Sequence, residues 1–233
     1  MPSPHHTSSF SSSFGASPSR RRWLLASLGT VALASLAGCG RKPAKAARLP
    51  DGATVLALGD SLTSGVGASP DAAYPQVLQG LTGWNVVNAG VSGHTAAQAL
   101  ARLPALMQQH QPGLVIVCIG GNDFLQRQSA AATQATIRTI CQQIQAAGVP
   151  VVLVAVPQWS LIAAAGGRLT DHPMYAEVAA DLKLPLYSAG WTGVLGDPQL
   201  RSDAVHANAQ GYRQFAQGLA QFLQTAGFLA QVR

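Results

Sequence analysis

Four short polar segments of this 233-residue chain hold the side chains that acyl chemistry needs. Gly59-Asp60-Ser61-Leu62 presents a hydroxyl directly after an apolar run. A serine where strand turns to helix is exposed at a sheet edge, beside backbone N–H groups that favour a nucleophile. Asn88-Ala89-Gly90-Val91-Ser92-Gly93 is a glycine-rich turn whose N–H groups can face an oxyanion. Gly120-Gly121-Asn122-Asp123 supplies an amide that can donate to the same oxyanion. In Asp203-Ala204-Val205-His206 a carboxylate stands three residues before an imidazole. That spacing can hold Nδ1 and leave Nε2 for the serine. Each segment alone is an ordinary turn, loop or helix entry. Together, in this order, they are far more specific.

To converge, these segments must be carried to one edge by regular elements. Thr54–Leu58, Trp84–Asn88, Leu114–Ile119, Val149–Val156 and Leu184–Tyr187 are short apolar runs, the mark of strands buried on both faces. Helical spacing predicts helices over Tyr74–Leu81, Thr95–Gln109 (interrupted by Pro104), Ala130–Ala147, Met174–Lys183 and Ala209–Thr225. Strands alternating with helices imply an α/β domain: parallel βαβ units and an open five-stranded sheet covered on both faces. Residues 52–233 suffice for one such core. Ligands of these sheets sit at the carboxyl ends of the strands, where three of the four segments fall.

On these four segments, residues 52–233 resemble the SGNH, or GDSL, hydrolase family. Ala101–Gly113 (ARLPALMQQHQPG) further resembles its arylesterase, thioesterase and lysophospholipase branch. The resemblance implies a flavodoxin-like three-layer fold with parallel strands in the order 2-1-3-4-5. It implies Ser61 as nucleophile, His206 as general base and then acid, and Asp203 as orienter. The N–H groups of Ser61 and Gly90 and the side chain of Asn122 would form the oxyanion hole. The expected activity is hydrolysis of carboxylic esters or thioesters through an acyl-enzyme, with no cofactor and no metal. An O-acetyl esterase acting on envelope polysaccharide is the alternative within the enzyme class; a non-catalytic binding lipoprotein is the alternative outside it. No G-x-S-x-G elbow surrounds Ser61, which argues against an α/β-hydrolase.

Two places depart from the family pattern. Ala207-Asn208 follows His206 where the family usually has Pro-Asn. Pro157–Thr170 matches no branch pattern; it carries Trp159, Leu161 and Ile162 with no helical or strand period to bury them, and is expected to form a wall of the acyl pocket. Asp60 and Asp123 are expected to accept hydrogen bonds from loop N–H groups. His94 reads as a surface or capping residue, His110 and His172 as solvated, and Cys118 and Cys141 as buried thiols.

The amino terminus reads as an export label. Arg20-Arg21-Arg22 precedes an apolar run, Trp23–Gly38, of 16 residues. That is short of the roughly 20 that a spanning helix needs. A basic segment, a short apolar run and terminal small residues describe a signal peptide, twin-arginine-like in its arginines. Leu36-Ala37-Gly38-Cys39 resembles a bacterial lipobox, implying residues 1–38 as signal, Cys39 as the lipidated mature terminus and residues 39–51 as a tether. The expected location is the envelope, on the outer membrane facing the periplasm, since Gly40 and not Asp follows the cysteine. Seven of the 15 basic residues precede position 49, leaving eight against the nine acids. A near-neutral domain lacks the basic face that nucleic acid requires. The expected partners are a small ester substrate and, through Cys39, a membrane, with a monomer as the expected state.

Overall fold

The computed structural model describes residues 48–158 and 169–233. Five parallel strands form one sheet: β1 (Thr54–Gly59), β2 (Asn85–Gly90), β3 (Leu114–Cys118), β4 (Val151–Val154) and β5 (Leu186–Tyr187). Their order is β2-β1-β3-β4-β5. Val55–Leu58 and all of β3 and β4 are buried, which is why they read as unbroken apolar runs. β2 lies at an edge and is less covered: Val86 and Ala89 are buried, Asn85 and Asn88 exposed.

The helices are α1 (Ser61–Ser64), α2 (Tyr74–Thr82), α3 (Ala96–His110), α4 (Gly121–Leu125), α5 (Ala130–Ala146), α6 (Met174–Leu182), α7 (Gly190–Leu195) and α8 (Ala209–Thr225). The connection from β1 to β2 steps one way along the sheet; those to β3, β4 and β5 step the other way. With right-handed crossovers, α2 must cover one face and α3, α5 and α6 the other. The packing agrees: α2 and α7 pack on α8, while α3 and α6 pack on α5.

The elements differ from the sequence expectation in a few places. Pro104 lies inside α3 without ending it. The missing N–H costs the Leu100 carbonyl its helical partner. A capping box between Thr95 and Gln98 and the buried face of Ala96, Ala99 and Leu103 keep the segment helical. Trp84 is a buried core residue before β2, and β5 is only two residues long. The short helices α1, α4 and α7 are too brief to show a period.

Within α7, Trp191 stacks on Phe215 with ring centroids 3.8 Å apart. Its indole N–H donates to Cys118 Sγ at 3.2 Å, tying the helix to the end of β3. Cys118 and Cys141 are buried free thiols, and burial raises both, Cys141 to about 12. No helix among the described residues is long and apolar enough to cross a membrane.

The register positions the site. Gly59 at the end of β1 lies level with Gly90 on β2 and Cys118 on β3. The three loops therefore leave the sheet side by side, at the switch point where strand order reverses.

Candidate active site

Ser61 is the first residue of α1, immediately beyond β1. Asp60 caps that turn: its Oδ1 accepts from Leu62 N–H at 3.0 Å. The cap fixes the backbone on which the serine stands. His206 arrives from the other end of the chain, and its Nε2 lies 2.9 Å from Ser61 Oγ. His206 Nδ1 lies 2.7 Å from Asp203 Oδ2. Asp203 Oδ1 accepts the N–H groups of Val205 and His206, each at 2.8 Å. Partial burial raises the Asp203 carboxyl, but the His206 contact and the two backbone donors outweigh it and hold the group below its ordinary value. It is therefore a fixed anion beside the imidazole, which sets the tautomer with Nδ1–H toward Asp203 and Nε2 free to accept.

The loop holding this pair is a small hairpin. Ser202 N–H donates to the His206 carbonyl at 3.0 Å and Asn208 N–H to the Leu200 carbonyl at 2.9 Å. The two bonds that close the bridge between Arg201 and Ala207 thus leave the N–H of residue 207 unused. The bridge needs no donor at this position, so the exchange of proline for alanine costs it no hydrogen bond. Asn208 then caps α8, its Oδ1 accepting from Gly211 N–H at 3.0 Å. Tyr212 on α8 donates to the Val66 carbonyl at 2.7 Å, joining the base's helix to the loop after the serine.

Asn122 sits in the first turn of α4. Gly120, which begins that turn, has φ +118, and a Cβ there would lie 2.7 Å from Tyr175 Oη. Only glycine serves at that position. Asn122 Nδ2 donates to the His94 carbonyl at 3.0 Å. One amide hydrogen is thereby held, which orients the other. Asp123 is buried behind it and accepts from Ala96 N–H at 2.9 Å, anchoring α3. Both aspartates beside the site thus bind backbone N–H groups, as expected. Asp60 is wholly buried, and this desolvation pushes its carboxyl up to about 7 despite the Leu62 bond and the nearby His206.

Ser61, Asn122 and His206 line one cavity, together with Ser92, Gly93, Leu125, Val156, Pro157, Leu195 and Val205. Its volume is about 140 Å³. A cavity of about 150 Å³ accepts a benzene-sized group. The lining is mostly apolar away from the polar triad, and Leu125 at the rim is 51% exposed.

Gly90 is not part of this lining. Its N–H donates to Asn88 Oδ1 at 3.0 Å. A Cβ at Gly90 would lie 2.2 Å from the Ser64 nitrogen, so its glycine is required by close packing of β2 against α1. Gly93, three residues on, lines the cavity instead, with φ +81. The sequence points to Gly90, but both glycines share one turn, and residue type does not say which N–H faces the cavity.

His94 contributes its backbone, through the carbonyl that holds Asn122. His172 is not solvated: it is partly buried and stacks on Phe124 at 4.5 Å, and burial lowers its pKa. The segment after β4 is closed at its base, where Pro157 bridges Asp171 and Gln158 N–H donates to the Thr170 carbonyl at 2.8 Å. Trp159 and Leu161 lie outside the described residues, as does Cys39.

The chain is similar to known proteins. The sequence model of the GDSL-like Lipase/Acylhydrolase family matches residues 57–214. Thioesterase 1/protease 1/lysophospholipase L1 of Escherichia coli K12 is 38% identical over 178 residues, covering 73% of this chain and 83% of that protein. Esterase TesA of Pseudomonas aeruginosa is 32% identical over 163 residues, covering 66% of this chain and 79% of that protein. A crystal structure of TesA superposes with a TM-score of 0.64 at 28% identity, covering 74% of this chain and 99% of that one. With the matched span running from the end of β1 to α8 and so enclosing every residue of the site, the chain belongs to the GDSL-like lipase/acylhydrolase family.

Proposed function

We propose that the protein is a serine esterase that hydrolyses aryl esters and short acyl esters or thioesters, with lysophospholipids as its larger substrates. The observation that carries this is the continuous chain from Asp203 Oδ2 to His206 Nδ1 and from His206 Nε2 to Ser61 Oγ, at 2.7 and 2.9 Å. Ser61 Oγ attacks the acyl carbon as His206 Nε2 takes its proton, and Asp203 stabilises the imidazolium that forms. The carbonyl oxygen becomes an oxyanion, received by Asn122 Nδ2 and the N–H groups of Ser61 and Gly93. His206 then protonates the departing alcohol or thiol, leaving an ester on Ser61. Water, deprotonated by the same imidazole, attacks that ester; the imidazolium returns the proton to Ser61 Oγ as the acyl–oxygen bond breaks and the acid leaves. The names of the relatives, esterase and thioesterase, support this substrate range. The cavity size favours the shorter and aromatic members.

The lipobox-like Leu36–Cys39 supports a second part of the proposal: the mature protein is lipidated at Cys39 and held in the cell envelope. The catalytic proposal is tested by kcat/KM for p-nitrophenyl acetate, butyrate and octanoate and for an acyl thioester, with Ser61→Ala as control. Hydrolysis should peak at the short chains and vanish in the control. Turnover of none of them, with release of acetate from acetylated sugars, would favour the O-acetyl esterase.

A further inference from the structure

The stretch Ala101–Gly113 bears one residue whose placement the catalytic cycle has not used. Arg102, on α3, is partly buried beneath the loops that leave β1 and β2. Its Nη1 donates to the Ala89 carbonyl at 2.6 Å and its Nη2 to the Gly59 carbonyl at 2.7 Å. Both carbonyls lie at the level where the sheet ends. Gly59 precedes Asp60-Ser61, and Ala89 precedes the turn to Gly93. The Gly59 carbonyl also accepts Val91 N–H at 3.2 Å, so it is the point where the two loops meet.

We propose that Arg102 is a positioning residue for the reaction: its guanidinium clamps the nucleophile loop and the Gly93 loop at a fixed separation. This rests on the esterase reading above. A guanidinium offers two donors in a rigid planar fork, so two carbonyls bound to its two terminal nitrogens cannot shift relative to each other. An ammonium is a point donor and cannot impose that separation. Desolvation lowers the Arg102 pKa, yet a guanidinium stays charged at any working pH, so the clamp does not titrate away. Ser61 Oγ must meet the acyl carbon and the Gly93 N–H its oxygen, from two different loops. A misplacement of about 1 Å in such an arrangement costs roughly 10²-fold in rate.

The test compares Arg102→Ala and Arg102→Lys with the wild-type protein, all shown folded by near-ultraviolet circular dichroism. The readouts are kcat and KM for p-nitrophenyl acetate, the inhibition constant of the product acid, and kcat with added millimolar guanidinium. A clamp predicts a kcat loss of roughly 10- to 100-fold in Arg102→Ala. KM and product inhibition should change little, because the cavity walls remain. Arg102→Lys should be intermediate, and guanidinium should restore part of the kcat of Arg102→Ala alone. A kcat within twofold of wild type in both variants would overturn the clamp. So would a loss that guanidinium does not restore and that lysine fully repairs, since that pattern needs only a charge. If wild-type protein itself neither turns over the ester nor reacts with a fluorophosphonate, the esterase reading fails and the clamp falls with it.

Discussion

At the residue scale, the site turns on hydrogen bonds that leave the right atoms free. Asn122 spends one amide hydrogen on the His94 carbonyl. Gly90 spends its N–H on Asn88, which removes it as an oxyanion donor. Asp60 is held far from its ordinary state by burial. With its pKa at about 7 when folded and 3.8 ordinarily, the folded protein binds more protons between those values than the unfolded chain does. Stability contributed through Asp60 is therefore lost as pH rises through that window. The loss is at most about 4 kcal/mol, at 1.36 kcal/mol per unit. Asp60→Asn keeps an oxygen for the Leu62 N–H but cannot ionise. Urea midpoints at pH 5 and pH 8 should fall less in Asp60→Asn than in wild type. An equal fall in the two proteins would mean that Asp60 ionises at its ordinary pH.

At the element scale, the loops are placed by close backbone approaches at the strand ends. A Cβ at Gly90 would strike the backbone of Thr63 and Ser64 in α1. Gly80, on the exposed side of α2, has nothing near its Cβ position. Gly90→Ala should therefore displace α1 and lower kcat at least tenfold, with a lower Tm. Gly80→Ala should instead stabilise by about 0.5–1 kcal/mol, because glycine inside a helix costs that much relative to alanine. Thermal melts and steady-state kinetics on the two variants check both signs. The alternation of apolar runs with helical spacing made the five strands and the longer helices legible. The triad was legible because its residue types and order are so constrained. The choice between Gly90 and Gly93 was not, since it depends on which N–H a neighbouring side chain captures. Pro104 within α3 was misleading because one lost hydrogen bond weighs less than a buried helix face. The stacking of His172 on Phe124 joins residues 48 positions apart and leaves no local signal.

At the scale of the whole molecule, the chain is a neutral catalytic domain behind a basic amino-terminal segment. The arginines cluster before the apolar run, and the domain that follows has balanced charge. The membrane association proposed here would come from an acyl anchor at Cys39 and not from a charged face. Cys39→Ser should abolish lipid labelling and move the protein from the membrane to the soluble fraction, or leave it unprocessed. A wild-type protein found soluble, with a mature amino terminus other than residue 39, would remove the anchor from the account. The strand order β2-β1-β3-β4-β5, at this scale, is what brings residues 61, 122 and 206 to one cavity. It places β1 between the strands that carry the Gly93 and Asn122 loops, and the Asp203–His206 hairpin closes over it from the end of the chain. At the heart of the proposed reaction, Ser61 is the nucleophile. Incubation with a fluorophosphonate probe, proteolysis and mass mapping tests it directly. A single adduct on Ser61 is expected, absent in Ser61→Ala and strongly slowed in His206→Ala. An adduct on another serine, or undiminished labelling of Ser61→Ala, would contradict it.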